Sequence, residues 1–392
     1  MKRTALLQEV RKMRFEEAYE GCQRGRLTQE EAARLLGVCD RTYRRYLVRY
    51  EEQGMEGLID KRLGQISHRS APVDEVVALA DLYSRRYQGL TVKHFYSWYR
   101  RAHEGMRSYT WVKNTLQGKG LVPKGLRKGA HRRQRPRAPY IGMMLHQDGS
   151  THEWVPGKLW DLIVTMDDAS SEHYSMFFID EEGTRSSFQG VNEVIAKHGV
   201  FASLYTDRGS HYWNTPEAGG KVDKENLTQF GRAMRQLGIE MIPAYSPEAR
   251  GRSERAFRTH QERLVKELAL AGITEMKQAN AYIRDVYLSA FNDEFAVSAE
   301  ESASMFVPWA GTPLQDILCE QYERTVGNNN CVKFDALTLQ IPADKYRFHY
   351  VKVKVRVHRY PNGNLAIFHG HRKLAAFNSK GKEVSKLNKK AA

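Results

Sequence analysis

The sequence predicts a multidomain chain with an all-α N-terminal helix-turn-helix region, a central α/β domain and a small C-terminal β-barrel. Three observations predict it. Apolar residues recur at helical spacing up to about residue 118, strands alternate with helices from about residue 140, and period-two alternation marks the end of the chain. Charge divides the chain in the same way. Of the net +15, residues 1–140 carry +15, residues 141–308 carry −9 and residues 309–392 carry +9. Basic ends suit a polyanion, and a surplus of carboxylates between them suits a metal. The alternative is a basic surface that only confers solubility.

The first element pair lies in "LTQEEAARLLGVCDRTYRRYLVRYEEQG". Thr28 followed by Glu31 is a capping-box pattern, and Ala32, Leu35 and Leu36 form an apolar face that ends at Gly37. Asp40 is placed to cap a second helix, whose Tyr43, Tyr46, Leu47 and Tyr50 recur at i, i+3, i+4 and i+7. Arg41, Thr42, Arg44, Arg45 and Arg49 occupy its other faces. Two short helices across a glycine turn, the second studded with arginine, make a DNA-binding helix-turn-helix over residues 1–65. A helical hairpin with a solvated basic face is the alternative.

Residues 66–118 read as a second helical DNA-binding domain, with Lys113 among the residues available for contact; a plain three-helix bundle fits the same pattern. Residues 119–139 form a basic linker. Its "KGLVPKGLRKGAHRRQRPR" includes Arg132, Arg133 and Arg135, holds no acid, and suits phosphate tracking better than a core.

The central domain, residues 140–308, reads as three strands ("IGMMLHQD", "KLWDLIVTMDD", "HYSMFFID"), a helix, a strand ("FASLYTD"), a helix, a strand ("IEMIPAY") and a long helix ending at Gly272. Trp154 and Trp160 are assigned to its core. Residues 309–392 form the expected barrel. There Val351, Val353, Val355 and Val357 share one strand face, Lys352, Lys354, Arg356 and His358 share the other, and Pro361-Asn362-Gly363 turns the chain.

Three acids in the central domain occupy related places. Asp148 ends the first strand, Asp207 ends the fourth, and Glu254 opens the long helix. The first and fourth strands can lie side by side, bringing their carboxylates together with the helix alongside. Converging carboxylates repel one another unless cations neutralise them. Hard oxygen ligands select Mg²⁺ or Mn²⁺. Two such ions ~3.5–4 Å apart serve an in-line phosphoryl displacement. Any one of these acids alone would cap a turn. Glu248 competes for the third place, and Asp167 and Asp168 are read as structural, with metal binding as their alternative. His146, two residues before Asp148, is placed on the same strand face and assigned to packing or a hydrogen bond.

"LHQDGS", "LYTDRGS" and "SPEARGRSERAFRTHQERL" resemble the three catalytic blocks of DDE transposases of the retroviral-integrase type, closest to the ISNCY-like group of bacterial insertion-sequence transposases. The resemblance implies an RNase H-like integrase catalytic core with Asp148, Asp207 and Glu254 as catalytic metal ligands for two Mg²⁺ (or Mn²⁺) ions. It implies an enzyme that cuts double-stranded DNA at the element's terminal inverted repeats and joins the freed 3′-OH to target DNA. A homodimer or higher oligomer on DNA follows by analogy. Arg252, Arg255 and Arg258 are candidate phosphate clamps, with a solvated helix face as the alternative.

No apolar run reaches the ~18 residues of a membrane span. The N-terminus has no apolar signal region, and Cys22, Cys39, Cys319 and Cys331 are too dispersed for a disulfide framework. A cytoplasmic, nucleoid-associated protein is the expectation. Two rival functions share these features. One is a DNA-binding regulator whose integrase-like domain is inactive, and the other is a nuclease that never joins strands.

Overall fold

The computed structural model describes residues 2–59, 71–125, 136–217, 220–245, 251–343 and 345–384. The chain divides into two compact units, Met1–Lys124 and Gly125–Ala392.

Among its described residues the first unit is wholly helical, with α1 (Lys2–Gln23), α2 (Gln29–Leu35), α3 (Asp40–Gln53), α4 (Val73–Arg86), α5 (Val92–Ala102) and α6 (Tyr109–Gly118). The capping box forms as expected. The Glu31 carboxylate accepts from the Thr28 amide at 2.8 Å while Thr28 Oγ1 accepts from the Glu31 amide at 3.2 Å. Tyr43 is fully buried, and Phe15 of α1 packs on Tyr43 and Tyr50 at ring separations of 5.8 and 5.3 Å. Three details differ from the expectation. Cys39, not Asp40, stands at the N-cap position of α3, and its side chain makes no capping hydrogen bond to the backbone. Leu35 is exposed and Ala33 is buried in its stead, because small residues let α1 approach α2 closely. Finally, α1 has no sequence signature, since its apolar residues do not gather into one stripe. In α4–α6, Tyr83, Phe95, Val112 and Leu116 build a separate small core. Arg107 closes it with a two-pronged ion pair to Glu75, at 2.7 and 2.5 Å.

The second unit holds β1 (Met144–Val155), β2 (Lys158–Asp167), β3 (His173–Ile179), α7 (Thr184–His198), β4 (Ser203–Thr206), α8 (Gln229–Leu237), β5 (Glu240–Pro243) and α9 (Gly251–Leu270). This is the element order read from the sequence. The helical hand-over α10 (Met276–Tyr282), one π turn and α11 (Leu288–Phe295) follow. The sheet order is β3-β2-β1-β4-β5, with β1–β3 an antiparallel meander and β1, β4 and β5 parallel. Each sheet face has its own core. Leu145 and Leu204 pack with Phe188, Val191, Phe230 and Met234 of α7 and α8. On the other face Leu162, Val164 and Met166 pack with Phe257, Leu264 and Leu268 of α9, as the helix pattern predicts. Trp154 and Trp160 belong to this core, with Trp154 Nε1 donating to the Trp160 carbonyl at 2.9 Å.

Beyond α12 (Leu314–Ile317) lie β6 (Glu320–Thr325), β7 (Cys331–Phe334), β8 (Leu337–Gln340), β9 (Lys354–Arg359), β10 (Leu365–His369) and β11 (Arg372–Phe377). The expected barrel is corrected here. The described strands form an open four-stranded sheet, β11-β10-β9-β6, and a separate β7–β8 hairpin that packs against it through Val332, Phe334 and Leu339. The valine strand is also shorter than read. It starts at Lys354, after Lys352 has taken a left-handed turn (φ 61°). His358, expected on the outer basic face, is buried against Phe368 at a ring separation of 4.0 Å. Burial and the nearby cations Arg356, Arg232 and Lys373 hold its pKa down, at about 3. The turn through Gly363 (φ 82°) forms as expected.

Candidate functional site

Alternation along β1 sorts its side chains onto two faces. Gln147 points towards α7 and α8, where its amide donates to Thr165 Oγ1 at 3.0 Å and its carbonyl oxygen accepts from the Tyr212 hydroxyl at 3.1 Å. His146, Asp148 and Ser150 take the other face, beside α9.

Asp148 is buried and sits within β1 rather than at its end, since the strand continues to Val155. It pairs with Val164 on the β2 side, but pairing on the β4 side stops at His146↔Tyr205. Asp207 directly follows Thr206, the last residue of β4. Carried on by two residues, the same parallel register sets Asp148 opposite Asp207. Tyr212 senses both. Its hydroxyl pKa is pushed well up, first by burial and then by the charges of Glu182, Asp148 and Asp207.

Helix α9 runs alongside β1. At its start Arg252 forms an ion pair with Asp168, and further along Gln261 Nε2 donates to Ser150 Oγ at 3.1 Å. Glu254, Arg258 and Gln261 fall on one stripe between or at these anchors. Glu254 and Arg258 are exposed. Among the described residues no group of three or more His, Cys, Asp or Glu side chains is gathered tightly enough to hold a metal ion. Asp148 and Asp207 thus stand on neighbouring strands beyond the paired stretch, and Glu254 stands on α9. Glu248 lies outside the described residues. In chemistry the donor set fits a hard divalent cation: it consists of carboxylates, with no thiol among them.

Beside this pair lies a buried network that sequence reasoning located only in part. Asp168 is fully buried and accepts from His146 Nε2 at 2.7 Å, from the Ala138 amide at 2.7 Å and from Arg252. Burial pushes its pKa up, but the His146 hydrogen bond, the Ala138 amide and the Arg252 charge outweigh that and leave it well below the ordinary carboxylate range. Arg137 adds hydrogen bonds to the Asp168 and Ala169 carbonyls at 3.0 and 3.1 Å. Asp167 turns the other way. It accepts from the Gly142 and Ser170 amides at 2.9 and 2.8 Å, a structural role, with its pKa raised by burial. Arg252, a candidate for phosphate, is thus engaged with Asp168, while Arg255 and Arg258 are exposed.

Glu182 was missed altogether. A Cβ at position 149 would lie 2.2 Å from Glu182 Oε2, so the Glu182 carboxylate lies directly over Gly149, and His211 Nε2 lies 3.5 Å from Glu182 Oε1. The glycine after Asp148 was the available signal.

In the first unit Arg41, Arg44, Arg45 and Arg49 are all exposed along α3, Thr42 is half-buried, and the four arginines line an open concavity with Asp40 and Val48. Lys113 is half-buried on α6. Arg132, Arg133 and Arg135 lie outside the described residues.

The winged helix-turn helix family model matches residues 17–73, which contain α2 and α3. A protein of Sinorhizobium fredii (strain NBRC 101917 / NGR234) named as a transposase, y4bF, is 28% identical over 369 residues, 88% of this chain and 76% of its own length. The chain is similar to proteins named as transposases. The resemblance carried by the three motif blocks is borne out at that level. The transposase for insertion sequence IS1202 of Streptococcus pneumoniae is 29% identical over 202 residues, covering 51% of this chain and 43% of that protein. Among solved structures, a simian T-cell lymphotropic virus intasome in complex with PP2A regulatory subunit B56 gamma matches at TM-score 0.36 and 15% identity, over 79% of this chain and 100% of that one. The HTLV-2 integrase catalytic core domain in complex with magnesium matches at TM-score 0.30 and 15% identity, over 38% and 87%. Likeness at this level assigns neither chemistry nor partner to this chain. No helix of its described residues is long and apolar enough to cross a membrane.

Proposed function

We propose that the chain is a DNA transposase that cuts the ends of its element and joins the freed 3′-OH to target DNA. Asp148, Asp207 and Glu254 are its catalytic residues and the ligands of two divalent cations, Mg²⁺ or Mn²⁺. The observation that carries this reading is the parallel β1–β4 register, which stops two residues short of carboxylates on neighbouring strands. Bound cations would neutralise the facing carboxylates and stabilise charge on the attacking and leaving oxygens.

The chain's own groups do the rest. Asp148 lies on β1 and Asp207 directly after β4, two interior strands of the sheet, and Glu254 approaches on α9. Hydrolysis of one phosphodiester at the element end breaks a P–O3′ bond and frees the hydroxyl. Attack by that hydroxyl on a target phosphodiester then exchanges one P–O bond for another. Arg255 and Arg258, exposed beside Glu254, meet the phosphates. The α3 arginines with Thr42, Lys113 of α6, and the linker residues Arg132, Arg133 and Arg135 supply phosphate and base contacts to double-stranded DNA, reading the terminal inverted repeats. A homodimer or higher oligomer brings two ends together.

The test is transposition in cells. The protein is supplied beside a marker flanked by its native gene-border DNA, with Asp207→Asn in parallel. New insertions with the wild type alone support the reading. Equal insertion by both removes Asp207 from the mechanism. No insertion by either, with border DNA still bound, favours a DNA-binding regulator.

A further inference from the structure

We propose that the segment Lys345–His349 is a second DNA contact, in which Phe348 wedges into the base stack while the cations around it hold the backbone. The proposal rests on the reading of DNA as the partner and adds a site within the C-terminal sheet region. Phe348 is fully exposed and Tyr346 is 70% exposed, an unusual placement for two aromatic rings separated by one residue. After Asp344 the sequence carries Lys345, Arg347 and Lys352 with no further acid, and Lys354 beyond them pairs with Glu323 at 2.7 Å.

The ends of this excursion are fixed in the core. Ile341 and Tyr350 are buried, and one side chain ties them together. Asn330 Nδ2 donates to the Ile341 carbonyl at 3.1 Å, and Asn330 Oδ1 accepts from the Tyr350 amide at 2.7 Å. Arg372 of β11 braces the segment from the side. Its guanidinium lies 4.7 Å from the Tyr346 ring centre and hydrogen-bonds the Tyr350 hydroxyl. Arg347 lies 5.3 Å from the centre of the Tyr350 ring. A narrow base thus presents one uncovered ring with positive charge on either side. Apolar wedges between base steps and aromatic stacking beside cations are how proteins open or grip DNA without reading its sequence. A protein partner would suit the rings but offers no general reason for Lys345, Arg347 and the bracing Arg372 to gather around them.

The test compares the full-length chain on a fully paired gene-border duplex and on the same duplex with one central mismatch, where unstacking is already prepaid. The wild type binds the mismatched duplex roughly fivefold tighter or more, Phe348→Ala binds both alike, and Phe348→Trp restores the preference. Phe348 is outside the core, so the alanine variant folds. An equal preference in wild type and Phe348→Ala overturns the inference while leaving the proposed function intact. Failure of the wild type to bind either duplex overturns both. Unchanged DNA binding by Phe348→Ala with loss of self-association assigns the segment to contact between copies of the chain and overturns the DNA role.

Discussion

Gln261 of α9 donates to Ser150 of β1 across 3.1 Å, two residues along the strand from Asp148. Together with the Arg252–Asp168 ion pair it fixes the helix at two points, on β1 and on the turn that follows β2. Glu254 lies between those points in sequence, which is why α9 is a credible source of a third carboxylate.

The first expected outcome concerns the acids themselves. Asp148→Asn and Asp207→Asn each bring strand cleavage to background while leaving gene-border DNA binding within about twofold, since neither residue lies on the DNA-reading helices. Thermal melts without divalent cation show no loss of stability, because one of two facing like charges has been removed. Cleavage gels and melts on the same samples check this.

The Asp168 network makes the opposite prediction. Removing Asp168 leaves His146 and Arg252 without their buried acceptor, and Asp168→Ala is expected to cost about 3–5 kcal/mol. Its folded pKa lies below the unfolded value, so its contribution is complete above the unfolded pKa of ~3.9 and is lost as pH falls further. Urea denaturation of the variant, and of the wild type between neutral and acid pH, measures both effects.

A buried histidine pair gives a second pH signature, higher in the scale. His173 Nε2 and His260 Nε2 are 3.0 Å apart, His173 Nδ1 lies 3.0 Å from the Ser171 carbonyl, and His260 Nδ1 lies 3.1 Å from the Tyr287 hydroxyl. The carbonyl can only accept, so His173 donates there and must accept from His260, which in turn accepts from Tyr287. A proton on His173 Nε2 would break the bond between the rings, and one on His260 Nδ1 would have to turn the Tyr287 bond round. Burial holds His173 at about 4 and, with the His173 and Arg263 contributions, pushes His260 well below its ordinary value. Unfolded histidines bind protons first, so stability is whole above pH ~6.5 and falls towards pH 4, by up to about 1.4 kcal/mol per pH unit for each ring. His260→Leu should flatten the melting temperature over that range, and an unchanged slope would remove the pair as its cause.

The exposed arginines of α3 are expected to act on DNA alone. Arg45→Ala and Arg49→Ala leave the melting temperature within a degree or two. Each weakens gene-border DNA binding and lowers the slope of log affinity against log salt by about 1 if it meets one phosphate. Titrations at several salt concentrations separate this from a folding defect.

Much of this protein was legible in its residues. The capping box at Thr28, the arginine-bearing helix α3, and the order of strands and helices in the second unit all follow from periodicity and turn chemistry. Those are local properties, set within a few residues by side-chain spacing and backbone preference. The three motif blocks added the family resemblance. Other features were settled only when distant segments met. The chain continues β1 past Asp148 because β2 offers it an antiparallel partner as far as Val155. His146, Asp168 and Arg252 become one network because a strand, the end of its neighbour and a helix start converge there. The C-terminal strands stay an open sheet with a hairpin laid against it, a choice between closure and stacking that alternation cannot express, because both bury the same face. Sequence spacing set each element's inner and outer sides, and long-range packing decided which inner sides faced one another.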